Sequence, residues 1–183
     1  MGETKTKSAS GLVLCVLQIR KRQKTRRGSA LEVIHAHFRR FGNWCTPQDF
    51  FDKLNEEFGF VLDAAATAKT ANCAQYFTPE TDGLKSSWNV EKGAVFCNPP
   101  YGREIGKWVK KAYEESQEGA QIVLLIPART DTTYFHNYIY GKAEIRFIRG
   151  RLRFTDEDGK ASDPAPFPSM LVIYNKEAKL NEQ

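Results

Sequence analysis

Residues 97–101 read Cys-Asn-Pro-Pro-Tyr and follow the apolar run Ala94-Val95-Phe96. Their types and spacing could do chemistry. Two consecutive prolines fix φ, remove two N–H donors and push Asn98 and Pro99 away from the α region. The segment must therefore be stiff and extended, with an amide on one side and an aromatic ring on the other. An exocyclic amino group on an aromatic base is a poor nucleophile, because its lone pair is delocalised into the ring. Two acceptors that hold its N–H groups while the nitrogen pyramidalises stabilise the transition state more than the ground state. The Asn98 side-chain oxygen can be one such acceptor and the Pro99 carbonyl the other, with Tyr101 stacked on the face of the base. The plainer reading is a proline-stiffened turn with a helix-capping Asn.

Such a loop needs a sheet behind it. Ala94-Val95-Phe96 reads as a buried strand, and in an open α/β sheet ligands bind at the carboxyl ends of strands. Upstream, Thr46 predicts an N-cap and Pro47 a first helical position, with Asp49 complementing the helix N-terminus. Phe50, Phe51, Leu54 and Phe58 recur at helical spacing and Gly59 ends that helix. Phe60–Ala66 follows as an apolar strand carrying a carboxylate, Asp63, and then small residues from Ala64 onward. A strand-end acid with space beside it suits a ribose or amino-acid ligand, although an Asp capping the next element explains it equally well. Neither a GxGxxG fingerprint nor a P-loop is present.

The rest of the chain continues the alternation. Tyr76-Phe77 reads as a short strand, Gly102–Glu118 as a helix with Ile105, Trp108, Val109 and Ala112 on one face, and Gln121–Ile126 as a buried strand. Thr130 and Asp131 could cap a helix through Tyr140. Ala143–Phe154 and Met170–Tyr174 read as two further strands, separated by the acidic turn Asp156–Gly159 and a Pro-rich loop. The fold expected is α/β, a single Rossmann-like domain with a mixed sheet and a C-terminal antiparallel hairpin.

The chain has 183 residues, enough for one domain with a substantial core, and a net charge of +5 from 27 basic and 22 acidic side chains. That charge is uneven. Residues 1–40 hold ten basic side chains against Glu3 and Glu32, a net +8 that leaves −3 for residues 41–183. The expected division is a basic, partly disordered arm over residues 1–42, a domain over 43–176 and a tail over 177–183. Within the arm, residues 12–19 could be a short strand or a helical turn, residues 20–27 are a block of like charge suited to nucleic-acid phosphates, and residues 30–40 have the spacing of a short amphipathic helix. The eight apolar-rich residues 12–19 are too few to span a bilayer, and the heavy basic cluster after them is the wrong order for a signal peptide. Cys15, Cys45, Cys73 and Cys97 form no CxxC pair, and with three histidines there is no metal-ligand spacing, so no metal is expected. Free thiols fit a cytoplasmic protein.

The Asn-Pro-Pro-Tyr segment resembles the motif of amino-group methyltransferases that use S-adenosylmethionine. More specifically, residues 43–174 resemble the phage-encoded DNA N-6-adenine methyltransferases, a short Dam-type family. The stretches that carry the resemblance are Trp44-Cys-Thr-Pro47, Phe60–Ala66, Asp82-Gly-Leu84 with Trp88, Phe96–Tyr101, Ile126–Thr130, Gly150–Phe154 and Phe167–Leu171. The resemblance implies a Rossmann-like methyltransferase domain, with Asn98, Pro99 and Tyr101 as the catalytic group. It implies S-adenosylmethionine framed by Trp44, Thr46, Pro47, Asp63 and Ala64, with Asp82 towards its ribose. It also implies DNA as the partner, in a bacterial or phage-infected host cell, with no large domain to read sequence and hence low specificity. The chain departs from larger relatives in having Asp63-Ala64 where they use a glycine-rich turn.

Arg149, Arg151 and Arg153 alternate with Gly150, Leu152 and Phe154, the period of a strand with one basic face, and are expected to hold DNA phosphates beside a flipped adenine. A solvated strand face is the plainer account. Three other functions stay open on the sequence: an amino-group methyltransferase acting on cytosine N-4, RNA or a protein glutamine; a non-catalytic nucleic-acid-binding protein; and an unrelated enzyme that binds a nucleotide in the same crevice.

Overall fold

The computed structural model describes residues 44–175. The expectations for residues 12–19, 20–27 and 30–40, and for the tail, lie outside the described residues. Helix α1 (Gln48–Phe58) ends at Gly59, whose φ of 62° is the left-handed conformation that glycine adopts without strain, and the Gly59 N–H donates to the Asn55 carbonyl. Then come β1 (Phe60–Asp63), β2 (Gln75–Tyr76), β3 (Ala94–Cys97), α2 (Ile105–Gln117) and β4 (Ile122–Pro127). A five-residue π-helical turn (Phe135–Ile139) precedes β5 (Glu144–Phe147) and β6 (Ser169–Tyr174).

The six strands form one mixed sheet in the order β2-β1-β3-β4-β6-β5. The first four are parallel, and β6 runs antiparallel to both β4 and β5. All residues of β3, β4 and β6 are buried, as continuous apolar runs in the middle of a covered sheet should be. Phe51 of α1 packs against Phe60 and Phe96, and α2 buries the expected face of Ile105, Trp108, Val109 and Ala112.

Three expectations need correction. Thr46 is not the cap of α1: the helix starts after Pro47 with no side-chain cap bond, because the Thr46 hydroxyl is engaged elsewhere. The helix expected up to Tyr140 is a short irregular turn. The strand expected over Ala143–Phe154 stops at Phe147. Its later half keeps an alternating burial, with Phe154 buried and Leu152 half-buried, but it runs as an extended segment outside the sheet. That segment is held instead by Ala165 and Ser162, whose N–H groups donate to the Leu152 and Phe154 carbonyls.

Candidate active site

Strand direction brings the two principal polar residues together. Asp63 is the last residue of β1 and pairs in register with Phe96 of β3, so Asn98 stands two residues beyond its partner at the same carboxyl edge. After β1 the chain goes to one side to make β2 and returns on the other to make β3. The gap between them is the switch point at which open parallel sheets bind ligands.

A crevice lies there, with an empty volume of about 540 Å³ including its open mouth. The loop after β1 contributes Asp63, Ala65, Thr67, Thr70 and Asn72. The segment before α1 contributes Trp44, Cys45 and Thr46; the loop after β3 contributes Asn98, Pro99 and Pro100. Glu157 comes from the acidic turn. No lysine or arginine is among these residues.

Asp63 is 2% exposed. Its Oδ1 accepts from Ala65 N–H at 3.3 Å, and its Oδ2 accepts from both Asn72 N–H and Asn72 Nδ2 at 3.2 Å. Burial pushes this carboxyl above its ordinary pKa, and the bonds from Asn72 and Ala65 pull it back in part. Asp63 thus shapes the loop that forms one wall.

Asn98 Nδ2 donates to the Trp44 carbonyl at 2.7 Å and to Thr46 Oγ1 at 3.1 Å. Its Oδ1 accepts no bond among the described residues, and Asn98 lines the crevice. The Trp44 ring meets Phe154 and Phe167 edge-on at 5.2 and 5.3 Å.

Tyr101 is not the open platform that the sequence led us to expect. It is 6% exposed, its hydroxyl donates to the Leu125 carbonyl at 3.2 Å, and its ring is edge-on to Phe154 and Phe167. It pins the Asn98 loop to β4. Pro47 and Ala64 do not line the crevice; they adjoin residues that do. Asp82 is also outside it. Its carboxylate accepts from Leu84 N–H and pairs with Lys85, and it adopts φ 50° in the turn before Gly83.

The Asp82-Gly83-Leu84 stretch with Trp88 is a brace. Trp88 Nε1 donates to the Gly83 carbonyl at 2.7 Å, and Trp88 N–H donates to Glu115 of α2. Arg149, Arg151 and Arg153 are exposed and none lines the crevice, while Arg146 is tied to Glu57 and Glu144.

Asn72, Thr67, Thr70, Cys45 and Glu157 were not singled out from the sequence. Asn72 is bonded to an acid nine residues earlier, and Glu157 arrives from a distant turn, so neither carries a local motif. Burial, with Glu157 and Asp156 near Cys45 and Asp63 near Cys73, raises these thiols to about 11 and about 12, which disfavours the thiolate. Among the described residues no group of three His, Cys, Asp or Glu side chains could hold a metal ion, and no helix is long and apolar enough to cross a membrane.

A family model described as DNA N-6-adenine-methyltransferase (Dam) matches residues 37–181, which takes in every crevice residue named above. The DNA N-6-adenine-methyltransferase of Escherichia phage T1 is 35% identical over 150 residues, which is 73% of this chain and 62% of that protein. YfdM of Escherichia coli (strain K12), a candidate methyltransferase by name, is 43% identical over 63 residues, 32% of this chain and 69% of that one. The chain therefore spans somewhat under two thirds of the phage protein's length. With the family model covering most of the sequence, this chain belongs to the DNA N-6-adenine-methyltransferase (Dam) family.

Proposed function

We propose that the protein methylates the exocyclic N-6 of adenine in DNA, using S-adenosylmethionine bound on a Rossmann-like methyltransferase sheet that ends in the β5–β6 hairpin. The observation that carries this reading is the Asn98 Oδ1, unbonded among the described residues at the carboxyl edge of the sheet, in a crevice whose described lining holds two acidic residues and no cationic one. Such a lining favours a positively charged cofactor over a phosphate-bearing nucleotide, which weighs against an unrelated nucleotide enzyme.

S-adenosylmethionine, when bound, supplies a methyl group on a positive sulfonium, electrophilic without a metal. The protein's part is to hold and desolvate. Asp63 and its loop, with Trp44 opposite, frame the cofactor; Thr46, its hydroxyl engaged by Asn98, supports that frame from behind with Pro47, Ala64 and Asp82 rather than touching the ligand. Asn98 Oδ1 and the Pro99 carbonyl accept the two amino N–H groups. As positive charge develops on the nitrogen, both oxygens stabilise it more than they stabilise the planar ground state. The adenine must leave the helix stack to reach them. Stacking on Tyr101 requires the edge of Phe167 to withdraw from the tyrosine ring.

Arg149, Arg151 and Arg153 hold phosphates on either side of the flipped nucleotide, with the basic residues 20–27 as a looser contact. Neither reads bases, so sequence specificity is low. The site of action is the cytoplasm of a bacterial or phage-infected cell.

The test is to incubate the protein with labelled S-adenosylmethionine and DNA, digest to nucleosides and identify the modified base. Label in N-6-methyl-2′-deoxyadenosine is the expected result, with turnover reduced about a hundredfold in Asn98→Ala by removal of one preorganised polar group. Label on cytosine, or a folded Asn98→Ala protein with parental turnover, would overturn the assignment.

A further inference from the structure

We infer that Trp44 and Thr46 form a clamp that sets the orientation of the Asn98 amide, and that this clamp demands an amide rather than a carboxylate at position 98. The inference rests on the reading of Asn98 as the acceptor for the amino group.

A backbone carbonyl can only accept. The side-chain atom 2.7 Å from the Trp44 oxygen must therefore be the amide nitrogen, which settles which way the group is turned. The second N–H of Nδ2 goes to Thr46 Oγ1, so both donors are used and the oxygen is left over. An amide free to flip would present the wrong atom to an amino group half of the time; this one cannot.

The clamp itself is rigid. Cys45, between its two members, exchanges both backbone hydrogen bonds with Thr155 at 2.9 Å, and the Trp44 ring packs edge-on against both Phe154 and Phe167. Thr46 is 7% exposed. A second observation points the same way. Thr46 stands where a helix cap would be useful, yet α1 begins without a side-chain cap and the hydroxyl serves Asn98 instead. Thr46 is thus a positioning residue, acting through Asn98.

A carboxylate at position 98 would keep two good acceptors and lose every donor. It would set an oxygen against the Trp44 carbonyl with no proton between them, and would have to turn away from the clamp. The acceptor role alone forecasts an active Asn98→Asp protein; the clamp forecasts an inactive one.

The experiment measures turnover at saturating cofactor, cofactor Kd by calorimetry and thermal melting, in the full chain. Asn98→Asp should melt as a folded protein, keep its cofactor Kd within about twofold, and lose about a hundredfold in turnover. Thr46→Val should lose about three- to tenfold in turnover with Kd unchanged, the scale of one neutral hydrogen bond, and Thr46→Ser should restore it. Parental turnover in Asn98→Asp overturns the inference. So does a Thr46→Val protein whose Kd weakens while its turnover at saturation is kept, since Thr46 would then be a cofactor contact. Asn98→Ala separates the two levels of argument: if it is as active as the parent, the acceptor reading itself has failed; if it is inactive while Asn98→Asp is active, only the clamp has.

Discussion

The Tyr101 hydroxyl donates to the Leu125 carbonyl in the middle of β4, far from any solvent. Removing it in Tyr101→Phe leaves a buried carbonyl without that donor, at about 0.5–1.5 kcal/mol of stability. Tyr101→Ala empties a packed site among Phe154 and Phe167, and large aromatic truncations of this kind cost about 3–5 kcal/mol. Denaturant melts should show that ranking. Turnover at a temperature where both variants are folded should stay near the parent in Tyr101→Phe, because the ring and its packing against Phe154 and Phe167 are retained. A folded Tyr101→Phe protein as slow as Tyr101→Ala would make the hydroxyl itself a working group. Burial and cross-strand anchoring of this ring could not be read from Pro100-Tyr101 alone, since Leu125 lies 24 positions away.

Gly83 shows how one element holds another. A Cβ there would lie 2.3 Å from the Ala64 carbonyl and 3.1 Å from the Trp108 ring, so the brace can approach the loop after β1 only with glycine at this point. Gly83→Ala must push that loop aside, costing about 1–3 kcal/mol by overpacking. Its expected signature is a cofactor Kd weakened together with a lower melting temperature; a Kd unchanged in calorimetry would detach the brace from the cofactor wall.

The elements themselves were legible where one local rule governed them. Phe51 and Leu54 on α1, the Gly59 stop, and the apolar runs of β3, β4 and β6 followed from periodicity and burial. Asn98 and Asp63 were legible as strand-end polar residues, and the sheet then placed them side by side. Thr46 was misread because its local preference, to cap α1, lost to a partner 52 residues away. Residues 149–154 were misread because alternation reports one buried face, and a stretch packed on the core outside the sheet produces the same pattern.

On the scale of the molecule, charge is sorted by place. The crevice holds acids, the exposed arginines 149, 151 and 153 lie on the segment after β5, and the strongest basic block is in residues 1–40. DNA affinity should therefore fall steeply with salt, by about 0.9 in the log–log slope for each phosphate neutralised. Replacing Arg151 and Arg153 by Gln should flatten that slope and leave cofactor affinity alone, by fluorescence titration across salt. An unchanged slope would move the DNA surface to residues 20–27.

The place of β6 in the sheet has a consequence for how the protein is made. Its six residues, among the last of the described chain, fill the slot between β4 and β5 and are buried throughout. Until the ribosome has released them, β4 offers a bare apolar edge and β5 has no partner strand among the described residues. The turn that grips Cys45 also arrives late, at Thr155. The nascent chain therefore has no half-finished working form. A product broken off before residue 169 would carry an intact Asn-Pro-Pro-Tyr loop and still be a candidate for aggregation and proteolysis rather than a weak methyltransferase.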